Sequence, residues 1–277
     1  MQMKTNSYKV CIIVVTYNNE NDILDCLNSV FAQDYKDFKV IVVDNHSHDN
    51  TVKIIKQNFS DVDLKEQNKN LFLTGGNNAG IRHAIANYSP EFIMVLNPDT
   101  KVQPNLLSIL LKEFEKNPTI GAVGPKLKFG KSKYEGLINS AGLIYDGFMQ
   151  AYDRGFADED LGQFDKIEEV FGVTGACILY KRAMLDEIGL YWNAIKMYLD
   201  EVELFIRAKK KGWKVIYCPE TTVLHNYMQS TNANKSFNRQ KQVMKAWLFI
   251  ALRHYGFKAK IAMCKKYIGF RPGKLIV

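Results

Sequence analysis

Three unbroken apolar runs, each breaking off into a cluster of short polar side chains, constrain the fold of this chain more than any other feature. Val10 to Val15 ends in Thr16-Tyr17-Asn18-Asn19, Phe38 to Val43 ends in Asp44-Asn45-His46-Ser47, and Phe92 to Leu96 ends in Asn97-Pro98-Asp99. Runs apolar at every position and rich in Val and Ile suit strands buried on both faces, as in a parallel sheet. Between them, Ile23, Leu24, Leu27, Val30 and Phe31 recur at helical spacing and predict a helix near 20–32. Val52, Ile54, Ile55 and Phe59 predict another. Strand, helix and strand in alternation predict an α/β fold with a mostly parallel central sheet flanked by helices, its ligand lying across the carboxyl ends of the strands.

The rest of the chain extends this pattern. A glycine-rich turn, Leu73 to Gly80, leads into a predicted helix Ile81 to Asn87; its glycines at 75, 76 and 80 allow close backbone approach but do not form a G-x-G-x-x-G dinucleotide fingerprint. Leu106, Leu107, Leu110, Leu111 and Phe114 make an amphipathic helix, and Ile120 to Val123 a short strand. Residues 125–170 lack clear periodicity and read as a lid or variable segment over the sheet. Val170 to Tyr180 returns a strand in which Gly175 marks a close approach, followed by a short helix Lys181 to Ile188. A helix then starts near Asp200 with Asp200, Glu201 and Glu203 in its first turn and Gly212 as its cap. Val215 to Cys218 is the last clear strand, and Thr221 to His225 follows as a short apolar run ending in a histidine.

Composition excludes several classes. With 277 residues, 47% of them hydrophobic, the chain has enough apolar material for a sizeable core. Its five cysteines, Cys11, Cys26, Cys177, Cys218 and Cys264, show no C-x-x-C pair or zinc-type spacing, so reduced thiols and a cytoplasmic setting are expected. No signal peptide or membrane-length apolar run is legible. From Lys235 to Val277 there are eleven Lys or Arg and no Asp or Glu, leaving 26 basic against 29 acidic residues before it. Basicity thus belongs to the tail and argues against a nucleic-acid surface on the body. Two domains are expected, a main body over 1–232 and a basic amphipathic helical tail over 233–277. The tail's cations alternate with Trp247, Phe249, Tyr255 and Tyr267, which suits either an anionic membrane surface or helices packed on the body with solvated basic faces.

Candidate chemistry sits where strands end. Asn97 and Asp99 flank a proline that stops the strand, an arrangement that taken alone reads first as a strand-terminating turn and, where the rest of the chain sends chemistry to the same place, as a site where a hard divalent cation carrying a diphosphate is caught. Acids in the first turn of the later helix favour its dipole, which accounts for Glu203; Asp200 and Glu201 point in different directions, so one faces the crevice as a possible base.

Taken in order, these stretches resemble the inverting family 2 glycosyltransferases of the GT-A (nucleotide-diphospho-sugar transferase) fold, most closely the rhamnosyltransferase-like branch. The resemblance covers Val10 to about Ser230. Val14-Val15-Thr16-Tyr17-Asn18 looks like the family's first strand and nucleotide contact, and Val42 to Thr51 resembles its V-D-N-x-S-x-D-x-T segment, which implies that Asp44 and Asn45 contact base and ribose. Asn70 to Asn78 resembles N-x-G-F-x-G-G-N-N, with Phe72 where the pattern has glycine; Gly76, Asn77 and Asn78 are the implied donor contacts. Leu96-Asn97-Pro98-Asp99 resembles the L-N-P-D form of the D-x-D motif, with Asp99 as metal ligand and Asn97 in place of the first acid. Thr174 and Gly175 fall on the acceptor-side strand. Tyr198 to Leu204 resembles F-E-D-V-D-L with each acid exchanged, so the base falls by position on Glu201 with Asp200 as its rival, and His225 matches the V-x-H metal ligand.

The resemblance implies transfer of a sugar from dTDP-rhamnose or a UDP-sugar to a glycan or lipid-linked acceptor, with inversion and with Mn²⁺ or Mg²⁺, in cell-envelope polysaccharide synthesis at the cytoplasmic face of the membrane. A nucleotidyltransferase is a rival, although Thr16 to Asn21 lacks the basic residues a triphosphate loop needs. A non-catalytic nucleotide-sugar or glycan-binding subunit is another.

Overall fold

The computed structural model describes residues 7–147, 150–226, 236–256 and 261. The three apolar runs form β1 (Val10–Thr16), β2 (Phe38–Asp44) and β4 (Phe92–Leu96), with β3 (Asp63–Glu66) as the edge strand beyond β2. β1 pairs in parallel with both β2 and β4, and every residue of β1 and β4 is buried. The sheet order is β3-β2-β1-β4-β11-β6-β12-β10, where β6 is Ile120–Phe129, β10 Glu168–Val170, β11 Cys177–Lys181 and β12 Lys214–His225. β11 runs antiparallel to both β4 and β6, while β6 and β12 return to the parallel direction. The sheet is therefore mixed, and its parallel half is the one with the polar strand ends.

Helices α1 (Ile23–Phe31), α2 (Thr51–Asn58) and α4 (Leu106–Lys116) follow the strands as the periodicity predicts. α3 differs. It runs over Phe72–Tyr88, so the glycine-rich stretch is not a turn before a helix but the helix's own first half. A Cβ on Gly80 would collide with the Ile13 side chain, and one on Gly76 would lie 2.6 Å from Val15 Cγ1. Poor helix formers are tolerated because only they let α3 settle directly onto β1 and β2. At the helix start Phe72 adopts φ 60°, the left-handed conformation for which glycine is suited, so the backbone path is kept at some strain.

The irregular stretch is also more ordered than its pattern suggests. β6 continues to Phe129, and β7 (Ile138–Ser140) pairs with it, while β8 (Leu143–Tyr145) and β9 (Ala151–Asp153) make a separate hairpin. The strand predicted over 170–180 is broken into β10 and β11 by residues 171–176, where Gly172, not Gly175, makes the tight contact, its position packing against the Phe205 ring. β12 is one strand interrupted by an irregularity between Cys218 and Thr222, where Pro219 cannot donate to the ladder.

α5 (Arg182–Ile188) and α6 (Asp200–Lys210) cover the face of the sheet that α3 also covers. α7 (Ser236–His254) joins them: Val243, Ala246, Trp247, Ile250 and Ala251 enter the same core cluster. The apolar side of the tail as far as His254 is thus turned into the protein. Phe257, Tyr267, Ile268 and Phe270 lie outside the described residues. Among the described residues no helix is long and apolar enough to cross a membrane.

Candidate active site

The carboxyl ends of β1 and β2 meet in register, Thr16 opposite Asp44. Thr16 Oγ1 donates to Asp44 Oδ1 at 3.0 Å, and the Ser47 backbone N–H donates to Asp44 Oδ2 at 2.9 Å, which fixes this buried carboxylate at the crevice floor. Asn45 Nδ2 donates to the Phe72 carbonyl at 3.0 Å, tying β2 to the start of α3. The Asn45 and Asn77 side-chain carbonyl oxygens are buried without hydrogen-bond partners, a state that proteins rarely leave uncompensated. Val15 is buried, Tyr17 is exposed, and Asn18 sits at φ 57°. Asn78 differs from its neighbours. Its amide donates to Tyr191 O at 2.8 Å and Asn193 Oδ1 at 2.7 Å and accepts from Tyr191 N at 3.0 Å, so both ends of the side chain hold the segment 191–193.

At the end of β4, Asn97 N–H donates to Ala176 O at 2.9 Å, and Asn97 O accepts from Thr100 Oγ1 at 2.7 Å, so the Asn-Pro-Asp turn is pinned by its backbone. It leads into β5 (Thr100–Val102), which pairs antiparallel with the end of β12 with His225 opposite Thr100. That register brings His225 Nε2 to 3.3 Å from Asp99 Oδ1. His225 Nδ1 lies 2.8 Å from Asn139 Oδ1. Because that oxygen only accepts, Nδ1 is the donor there, and Nε2 is left to face the carboxylate. Two acceptors at this separation repel unless a proton or a cation lies between them, so the pair suits a hard divalent ion. Among the described residues no group of three or more His, Cys, Asp or Glu is arranged as a complete metal site.

Asp200 and Glu201 open α6, and the two residues before them, Tyr198 and Leu199, are both left-handed, with φ 64° and 60°. Left-handed non-glycine residues at Asn18, His46, Phe72, Tyr198 and Leu199 all adjoin the crevice, strain of the kind stored at working sites. Burial pushes the Asp200 carboxyl up to about 6. Burial also raises Glu201 well above the ordinary glutamate range, with the charge of Asp200 as the second cause. With both carboxyls raised by burial, the pair resists carrying two charges at once. A Cβ on Gly175 would lie 3.9 Å from Glu201 Cδ, so that glycine backs the carboxylate without crowding it, and Thr174 stands beside it half-buried. Below, the hydroxyls of Tyr180 and Tyr191 meet at 2.8 Å.

Two features of the site carry no sequence signal. Asn139, which orients His225, belongs to β7, and Asp153 on β9 contributes its charge to Glu201. Neither stands in a periodic stretch or a recognisable motif.

The model of the family described as "Glycosyl transferase family 2" matches residues 11–189. The chain belongs to glycosyl transferase family 2. This family 2 chain is 24% identical over 267 residues to the N-acetylglucosaminyl-diphospho-decaprenol L-rhamnosyltransferase of Mycobacterium tuberculosis, covering 89% of this chain and 85% of that protein. It is 25% identical to the poly-beta-1,6-N-acetyl-D-glucosamine synthase of Staphylococcus epidermidis, over 76% of this chain and only 50% of that one. Among solved structures, GalNAc-T7 with UDP, GalNAc and Mn²⁺ superposes with a TM-score of 0.72 at 14% identity, covering 97% of this chain and 52% of that chain. The Pyrobaculum calidifontis mannosyltransferase PcManGT with GDP-Man and Mn²⁺ gives 0.62 at 18% identity, covering 95% of this chain and 70% of that chain. S. aureus TarS gives 0.59 at 17% identity, and this chain, 94% of which is covered, spans 43% of it. These likenesses establish the GT-A architecture.

Proposed function

We propose that this protein transfers a hexose from a nucleotide-diphosphate donor to a hydroxyl of a glycan or lipid-linked acceptor, inverting the anomeric centre. The observation that carries the reading is the Asp99–His225 pair, two ligand-type side chains 126 positions apart brought to 3.3 Å by the β5–β12 register at the mouth of the strand ends. Thr16, Asp44, Asn45 and the orphaned Asn45 and Asn77 oxygens would receive the nucleoside, with Val15, Tyr17, Asn18 and Gly76 shaping that end. Asn78 would act indirectly, by fixing Tyr191. Asp99 and His225 would hold Mn²⁺ or Mg²⁺, which when bound neutralises charge developing on the leaving diphosphate. Asn97 stays neutral beside Asp99, so this chain offers one carboxylate where the usual motif offers two. Glu201 would take the acceptor hydroxyl's proton as attack proceeds, and Asp200 keeps Glu201 basic enough to do so. One such base serves a single displacement, and no covalent sugar intermediate is required.

The acceptor class follows the Mycobacterium relative, whose name specifies a diphospho-decaprenol substrate. A cleft of about 260 Å³ lies between Phe72, Ile195 to Met197 and α7, and Lys196 and Lys245 at its rim suit the phosphates of such an acceptor. The body of the enzyme would run through α7, and only residues beyond Gly256, which include six Lys or Arg, would remain to meet an anionic membrane. A chain shortened after Gly256 should keep its fold and lose binding to phosphatidylglycerol vesicles in a sedimentation assay; unchanged binding removes the membrane role.

The function itself is tested by thermal melts with UDP-, GDP- and dTDP-sugars in Mn²⁺, Mg²⁺ or EDTA. A donor that binds only the folded state raises the melting temperature by several degrees, and this rise should need metal. Asp99→Ala and His225→Ala should each abolish the metal-dependent part. If no nucleotide-sugar shifts the protein with either ion, a glycan-binding role takes precedence.

A further inference from the structure

Asp153 is an acid with no visible structural reason to be where it is. It ends β9, opposite Leu143 of β8, and Leu143 in turn donates its N–H to Gly172 O at 2.8 Å. Three residues on from Gly172 is Gly175, the glycine that backs Glu201. On its other side, Arg154 N–H donates to Gly142 O at 2.8 Å and Ala141 N–H to Arg154 O at 2.9 Å, which joins the end of β9 to the residues following β7, whose Asn139 holds the ring of His225. Asp153 thus stands between the element that backs Glu201 and the element that orients His225.

Its Oδ1 is buried and has no hydrogen-bond partner. The guanidinium of Arg154 next to it makes no hydrogen bond to it: Nε donates to Ala141 O at 2.8 Å and Nη1 to Glu168 Oε2 at 2.8 Å, while Nη2 is itself buried without a partner. Burial pushes the Asp153 carboxyl up to about 6, against the helping contacts of Ser140 and His225, and Asp153 in turn raises Glu201. A carboxylate oxygen left without a donor is destabilising unless something supplies one. In a displacement driven from Glu201 toward a diphosphate at Asp99 and His225, the sugar in transit must lie between those groups, and its hydroxyls are the donors at hand.

We propose that Asp153 is a sugar-recognition residue, its unpartnered Oδ1 accepting a hydrogen bond from a hydroxyl of the transferred hexose. This rests on the glycosyltransferase reading and adds a residue that the D-x-D, base and histidine motifs do not contain. Asp153 would discriminate among sugars carried on one nucleotide, because a donor lacking the matching hydroxyl leaves the oxygen orphaned.

The test is calorimetric titration with UDP, GDP and dTDP and with UDP-GlcNAc, GDP-mannose and dTDP-rhamnose, in Mn²⁺. For whichever nucleotide binds the wild type, Asp153→Ala should leave affinity for the bare diphosphate within about twofold. Affinity for the nucleotide-sugar should fall by about 10- to 100-fold, the range for a hydrogen bond to a charged group. Asp153→Asn, which keeps an acceptor oxygen without the charge, should recover part of that loss. Equal losses for diphosphate and nucleotide-sugar, no loss for either, or failure of both variants to fold would overturn the proposal and leave the glycosyltransferase reading intact. A wild type that binds none of the six ligands overturns both.

Discussion

Glu201→Gln is expected to lower turnover by about 10²- to 10⁴-fold, the usual contribution of a positioned general base, while donor affinity stays near that of the wild type. Glutamine keeps the shape and hydrogen-bonding reach of the side chain, so only proton removal is lost. The pH profile gives the sharper test. Glu201 is raised by burial first and by the charge of Asp200 second, so the wild-type rate should climb with pH along a limb above the ordinary glutamate range. Asp200→Asn removes the second cause, Glu201 then ionises more easily, and the limb should move to lower pH. Should Glu201→Gln retain full rate while Asp200→Asn abolishes it, the base is Asp200 and the roles of the two acids are exchanged.

Glu203→Ala is expected to destabilise the protein by about 3–5 kcal/mol, the range seen when one member of a buried ionic cluster is removed. Glu203 is fully buried, and Arg207 Nη2 donates to it at 2.8 Å, His254 Nε2 lies 2.9 Å away, and Arg253 Nη1 3.3 Å away. Arg207 also donates to Leu190 O at 2.9 Å, so the cluster joins α6 to both α7 and the segment before α6. Removing the acid leaves the largely buried Arg207 guanidinium without its carboxylate partner. Burial alone would raise Glu203, but His254 and Arg207, with Arg253, hold it below its ordinary value of 4.5. A depressed acid stabilises above its unfolded value, so this contribution is present at neutral pH, begins to be lost as pH falls below about 4.5 and is lost fully only as pH passes the lower folded value. The difference between urea melts of wild type and variant should therefore be smaller at pH 4 than at pH 7 and shrink further as pH is lowered. A difference that is unchanged between the two would mean that packing, not charge, holds α7.

The parallel half of the sheet was legible because strands buried on both faces leave continuous apolar runs, and their polar ends located the crevice. α3 was misplaced at its start for the converse reason. Gly75, Gly76 and Gly80 weaken helical propensity locally, and tertiary packing on β1 overrides it. β7, β8 and β9 escaped notice since three-residue strands with mixed polarity have no period to detect, and with them went Asn139 and Asp153. The Asp99–His225 approach depends on strand register across an irregular β12, which a linear pattern does not encode. Glu203 looked like a helix-dipole acid. Only its spacing of four from Arg207 hinted at an ion pair, and nothing hinted that the tail would close over it.

The hook made by Asn78 on Tyr191 and Asn193 sets a rule for anyone recombining this chain with its relatives. A chimera cut at residue 189, where the family match ends, would draw Asn78 from one parent and its three hydrogen-bonding partners from the other. Tyr191 in turn meets Tyr180 beneath Asp200 and Glu201, so a mismatch at the hook would be transmitted to the two acids and read out as altered specificity in a graft that never touched them. Crossovers are better placed before α3 or after α7, so that the hook and the helix it steadies are inherited as one block.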